Sequence, residues 1–314
     1  MKKKQIKQFI ISFVIALAIY GIMMFCIQSG IITYYWSGIL ITACINIVLA
    51  TSLNLASGYL GQLTLGHAGF MSVGAYVSAL CSIYLQLPFV LSLLVGSLVA
   101  CVIGILIGIP TLRLKGDYLC IITLAFNEII RVIMLNLHIT NGAKGLMGIP
   151  ANTDFTAAFI SVVVTIYVIY SIVKSRHGRA IISIREDETA SELAGIHTFY
   201  YKILAFAISA FFAGLAGGLY AHYMGMLVPK TFDYNKSVEI LVMVVLGGLG
   251  NLKGSVIAAI VLTILPEYLR AFSEYRMLLY AVVLIAAMIL KSKNVMPYIK
   301  EKLSKKKHVE VSES

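Results

Sequence analysis

Apolar residues run along this chain in blocks close to the ~20 positions that carry a helix across a bilayer. Short polar or glycine-rich breaks separate the blocks, and they predict helices over 9–27, 38–56, 67–87, 89–109, 118–137, 155–173, 203–223, 237–250, 252–269 and 276–290. The eighth is short and interrupted by LGGLG (246–250), so it fits a re-entrant passage as well as a crossing. The pattern is that of an all-α, polytopic membrane protein with about ten transmembrane or re-entrant helices.

Composition agrees. Hydrophobic residues make up 60% of the 314 positions and charged residues 12%, well below the roughly 25% charge of soluble domains. The run Phe9–Ile27 is too long for a signal-peptide core and no small-residue cleavage site follows it, so it reads as an uncleaved first span. Cys26, Cys44, Cys81, Cys101 and Cys120 all fall in apolar runs without a C-x-x-C spacing and read as buried thiols. No metal-ligand spacing is present.

A net charge of +11 would point to nucleic acid in a soluble protein. Here its distribution assigns sides instead. With the N-terminus inside, the outer segments hold only Lys144, Lys230, Lys236, Arg270 and Arg276 of the 25 Lys and Arg, and Arg131 lies within a span. That bias follows the positive-inside rule and places both termini in the cytoplasm. The predicted division is a transmembrane domain over 1–290 and a basic tail over 291–314, solvated and free to touch anionic lipid.

One stretch breaks the apolar pattern. In RAIISIREDETASELAGI (179–196), Arg185, Glu186, Asp187 and Glu188 are consecutive. The stretch falls in the longest inner loop, 174–202, and predicts a short helix over about 184–194. Ser183-x-x-Glu186 has capping-box spacing, with Asp187 as the alternative N-cap. Acidic residues suit the first turn and Gly195 suits a left-handed C-cap. A solvated connector explains the helix as well as a docking element does; its small residues Ala190, Ala194 and Gly195 suit a groove on a soluble partner.

Polar groups within the apolar blocks are costly and face protein or water. Asn127, Glu128 and Arg131 lie in the fifth block, and Glu128 and Arg131, three apart, can pair. Such a pair locks helices or lines a path. Gln62 and His67 accompany Gly58, Gly61 and Gly66 between the second and third blocks, where close helix packing is the simpler reading. Gly247, Gly248 and Gly250 form a second break after Glu239, which gates or docks at the outer side. Two broken segments point to a midplane site, although they do not fall at matching span numbers.

No phosphate loop, H-E-x-x-H or G-x-S-x-G is present, so the residues offer no catalytic constellation. Any ATP use needs another polypeptide.

The residues IREDETASELAGI and the following YYKILAFAISAFFAGLAGGLYA resemble the cytoplasmic loop and next helix of LivM-type permeases of branched-chain amino-acid ABC importers. LNLASGYLGQLTLGHAGFMSVGAY (53–76), LKGDYLCIITLAFNEIIRV (114–132), ITNGAKGLMGIP (139–150) and EILVMVVLGGLGNLKGSVIAA (239–259) extend the resemblance over most of 50–270. It implies a multi-pass permease of the bacterial cytoplasmic membrane that imports leucine, isoleucine and valine by alternating access. It implies a second, LivH-like permease subunit, two cytosolic ABC ATPases that use ATP and Mg, and an extracytoplasmic binding protein. It makes Arg185, Glu186, Asp187, Glu188, Ala194 and Gly195 a coupling helix against the ATPases. Related permeases carry urea, amides or other amino acids; an ion-coupled transporter would leave the 184–194 helix unexplained.

Overall fold

The computed structural model describes residues 18, 20–30, 33–114, 116–269, 281, 282 and 285. The basic tail and most of the predicted first and last spans, 9–27 and 276–290, lie outside these residues. The chain divides into two compact units, Met1–Ile260 and Val261–Ser314.

Ten α-helices have both ends among the described residues: α1 (Tyr34–Leu53), α2 (His67–Tyr84), α3 (Phe89–Thr111), α4 (Asp117–Asn136), α5 (Phe155–Lys174), α6 (Arg176–Glu186), α7 (Glu188–Leu193), α8 (Thr198–Met224), α9 (Tyr234–Gly247) and α10 (Leu252–Tyr268). A π-helical turn, Asn54–Tyr59, continues α1. Leu146–Met147 (β1) pairs antiparallel with Met226–Leu227 (β2), a small departure from the expected all-α chain. Among the described residues, five helical segments are long and apolar enough to cross a membrane: α1 with its π turn, α3, α4, α5 and α8.

The core is the trio α2, α3 and α8. Small residues allow it. A methyl added at Gly74 would run into the backbone of Gly214, and one at Gly214 would lie 2.5 Å from Ala100 Cβ. Backbones this close gain dispersion contacts over their whole length, the usual device where lipid supplies no hydrophobic drive. Ala75, Ala79, Ala100, Ala210, Ala213 and Ala216 are fully buried around this seam. α1 and α5 pack on one another, and α4 lies against α2.

At one end, which we call the strand end, β1–β2 ties the α4–α5 connection to the α8–α9 connection. Ile149 N donates to Gly225 O and Thr153 N to His222 O there. At the other, the loop end, α6 and α7 link α5 to α8 beside the π turn. α9 does not start at the strand end. Phe232, just before it, is fully buried against Tyr76 and Tyr220, both at 6.0 Å between ring centroids. Asn127 Nδ2 donates to Phe232 O at 3.5 Å, and Ala68 N donates to Ser237 Oγ at 3.0 Å. The first turns of α2 and α9 therefore meet inside the bundle. The 14 residues of α9 rise only ~21 Å, less than the ~30 Å hydrocarbon core.

Candidate functional site

The loop end brings together three segments that are far apart in sequence. Arg185, at the last turn of α6, donates from Nη1 to Gly58 O at 2.8 Å. Asn54 Oδ1 accepts from Gly250 N at 2.9 Å. The three glycines Gly58, Gly61 and Gly250 make room for this stitch. A methyl on Gly58 would collide with Asn54 Oδ1 and the Gly250 backbone nitrogen. One on Gly61 would lie 2.9 Å from Arg185 Cγ, and one on Gly250 2.8 Å from Arg185 Nη1. Gly250 also has φ +79°, where a side chain is strained.

The π turn frees the carbonyl that Arg185 takes. Leu60 N reaches back five residues to Leu55 O, and Gln62 N reaches Ala56 O, both at 3.1 Å. A wide turn of this kind leaves carbonyls out of the regular i→i−4 ladder, available to a side chain. Gln62 thus closes the turn with its backbone.

The charged stretch is two helices, and the single helix expected over about 184–194 is broken at Asp187. Asp187 has extended backbone (φ −157°, ψ 112°), and its Oδ1 accepts from Ala190 N at 3.0 Å as N-cap of α7. Ser183 does not cap, because its Oγ donates to Ala180 O. α7 ends in the expected left-handed glycine. Gly195 (φ +82°) donates to Glu192 O and Ile196 N to Ser191 O, the two bonds of a Schellman cap.

Most charges here are used within the chain. Glu188 Oε1 accepts from Lys202 Nζ at 2.7 Å, and the Lys202 side chain is 3% exposed. Glu192 Oε1 accepts from Thr198 Oγ1 at 2.6 Å. Glu186 projects into solvent, with Arg185 Nε 3.6 Å from its Oε1. α7 also presents an apolar patch outward: Ala190, Ala194 and Gly195 are exposed and Leu193 is 87% exposed, beside exposed Thr189 and Glu192. Sequence reasoning passed over Leu193, Lys202 and Asn54. An isolated Leu beside Ala and Gly on a charged loop was the available signal for the first.

The remaining polar positions scatter. His67 is buried and its Nε2 lies 2.9 Å from Ser52 Oγ. Ser52 spends its proton on Leu49 O, so the imidazole is the donor. Gly66 sits against Thr123 and Gly69 against Asn127, at close backbone approach to α4. Glu128 Oε2 accepts from Arg131 Nε at 2.7 Å on a partly exposed side of α4. Gly247 abuts Ser255, and Gly248 (φ +99°) ends α9. Glu239 is separate from all of these. Its Oε2 accepts from Lys236 Nζ at 3.0 Å beside an open cavity of about 370 Å³.

The sequence matches the family described as branched-chain amino acid transport system / permease component over residues 35–288. The high-affinity branched-chain amino acid transport system permease protein LivM of Escherichia coli K12 is 35% identical over 297 residues, spanning 83% of this chain and 70% of that protein. The probable branched-chain amino acid transport permease protein LivM of Methanocaldococcus jannaschii is 24% identical over 257 residues, 66% and 73% of the two chains. The ribose import permease protein RbsC of Escherichia coli K12 is 26% identical over 270 residues, 79% of each. No solved structure gives a significant match. With the apolar helices, these matches make the protein a multi-pass membrane protein, and the chain belongs to the branched-chain amino acid transport system permease family.

Proposed function

We propose that this chain is one permease subunit of an ATP-driven importer for branched-chain amino acids. The 35% identity to a LivM permease over 83% of the chain carries that reading. The loop end then faces the cytoplasm with both termini, and the strand end faces outward, in the bacterial cytoplasmic membrane. About ten transmembrane or re-entrant passages complete the domain. A second permease subunit, two ATPases and a binding protein complete the importer.

In this reading α7 docks on an ATPase through Leu193, Ala190, Ala194 and Gly195, with Glu186 at the rim. Glu188, paired with Lys202, fixes α7 on the first turn of α8. The Asp187 break lets α7 follow the ATPase while α6 carries the displacement to Arg185. Arg185 holds the Gly58 carbonyl, and Asn54 holds Gly250. A push on the loop therefore reaches both glycine breaks at once. α1 and α9 are the helices those breaks terminate, so alternating access would turn on their loop-end halves.

The test is uptake of labelled leucine by cells deleted for this gene, complemented with wild type or Leu193→Asp at equal membrane abundance. Wild type restores uptake and Leu193→Asp does not. Restoration by both removes α7 as the docking helix. Failure of wild type to restore leucine uptake sinks the amino-acid reading, and labelled ribose, suggested by the RbsC relative, is then the next cargo to measure.

A further inference from the structure

We infer that Lys230, Asp233, Lys236 and Glu239 form the intake subsite for the cargo, and that it selects an α-amino acid zwitterion. The inference rests on the permease reading above and adds where the cargo is first held and by which groups. The four residues recur every third position with alternating sign, and all four line the same open cavity of about 370 Å³. That volume lies within the range of small-molecule sites, roughly 300–1,000 Å³. Thr231 and Asn235 also line it.

The position is fixed from beneath. Phe232, inside the ladder, is clamped between Tyr76 and Tyr220. Ser237, one residue past Lys236, is bound by the first turn of α2. The charges are therefore held where α9 begins within the bundle, on the strand-end side, and open to the outside. Lys230 is exposed and Asp233, Lys236 and Glu239 are partly exposed, so these charges meet the open cavity as well as protein. Mutual pairing satisfies only part of the charge. Lys236 and Glu239 pair at 3.0 Å. Asp233 Oδ2 accepts from Asn235 Nδ2 and its Oδ1 from Lys236 N. Among the described residues Lys230 has no carboxylate within ion-pair distance.

A zwitterion fits this arrangement. Its carboxylate can replace Glu239 as partner of Lys236 while its ammonium takes the freed Glu239 or Asp233. Lys236 and Glu239 each keep an opposite charge before and after, so the exchange strands neither of them. A neutral sugar brings no charge to the exchange and leaves the Lys236–Glu239 pair closed. An anion or a cation alone satisfies one partner and strands the other. The ladder thus separates amino acids from sugars, the two kinds of cargo named for the permeases this chain resembles.

The test is protection of an engineered thiol in right-side-out vesicles carrying the intact importer. Thr231→Cys, and separately Asn235→Cys, is reacted with a membrane-impermeant maleimide, with unsubstituted protein as background. Leucine at ~10-fold above its apparent dissociation constant slows labelling about tenfold, as one occupied site requires. Ribose has no effect, and 4-methylpentanoate or 3-methylbutylamine protects far less. Lys236→Gln or Glu239→Gln abolishes protection at unchanged membrane abundance, and the double exchange Lys236→Glu with Glu239→Lys restores it. Equal protection by ribose, no protection by leucine, full protection in the single variants, or two unreactive cysteines would each overturn the inference. If leucine uptake by unsubstituted protein persists in those cases, the permease reading stands without this site.

Discussion

The two ends of the bundle handle charge in opposite ways. At the loop end Arg185, Glu188 and Lys202 are locked: each has a fixed partner at 2.8 Å or less, and glycines exclude any added atom around Arg185. On the strand-end side, where α9 begins within the bundle, the Lys236–Glu239 pair borders the open cavity, with Glu239 40% exposed. In the proposed importer the same chemistry would serve two tasks. A partner that cannot leave passes on a displacement. A partner that can be replaced accepts a cargo.

Substitutions that remove one charge at each end sharpen the contrast. The largest effect is expected from Glu188→Ala. It leaves the buried Lys202 ammonium without its carboxylate, at a cost of about 3–5 kcal/mol, read as lower thermal stability of the extracted protein. Adding Lys202→Met recovers most of it; no recovery would mean that the pair is not what fixes α7.

Gly250→Ala comes next. Its φ of +79° and the approach of Arg185 together predict about 1–3 kcal/mol of strain, visible as reduced membrane abundance. Wild-type abundance and uptake would show that the stitch has slack.

Arg185→Gln removes a charge-assisted bond worth about 1.5–3 kcal/mol. We expect leucine uptake to fall ten- to a hundredfold while ATP hydrolysis by the purified importer persists. Parallel loss of both would reduce Arg185 to a structural group. Lys236→Gln at the open end is expected to change stability by less than ~1 kcal/mol, as for exposed pairs, despite its effect on thiol protection. Glu186→Ala is the smallest, within about 0.5 kcal/mol, with uptake close to wild type. A large effect there would return the acidic residues to the docking surface.

Hydropathy located the crossing helices closely: 89–109 became Phe89–Thr111 and 155–173 became Phe155–Lys174. It missed the first turn of α8, which begins at Thr198 where 203 was expected, because Thr198 and Lys202 are polar yet buried by Glu192 and Glu188. The Asp187 break was legible as an N-cap signal in competition with Ser183, and only the backbone decided between them. Arg185 was recognisable as unusual but not as a stitch. Its carbonyl partner is 127 residues away, and no local pattern carries a contact of that range. The ladder was present as Lys-x-x-Asp-x-x-Lys-x-x-Glu. Its first three members fell in a stretch that hydropathy assigns to an outer loop, so the spacing was divided between a loop and a helix.

α7 would meet the proposed ATPase with an apolar patch, Leu193 with Ala190, Ala194 and Gly195, edged by the exposed acids Asp187 and Glu192. The apolar contact itself has little for counterions to screen. The permease and its ATPases should therefore stay together through washes at high ionic strength and separate when Leu193 is replaced by a polar side chain.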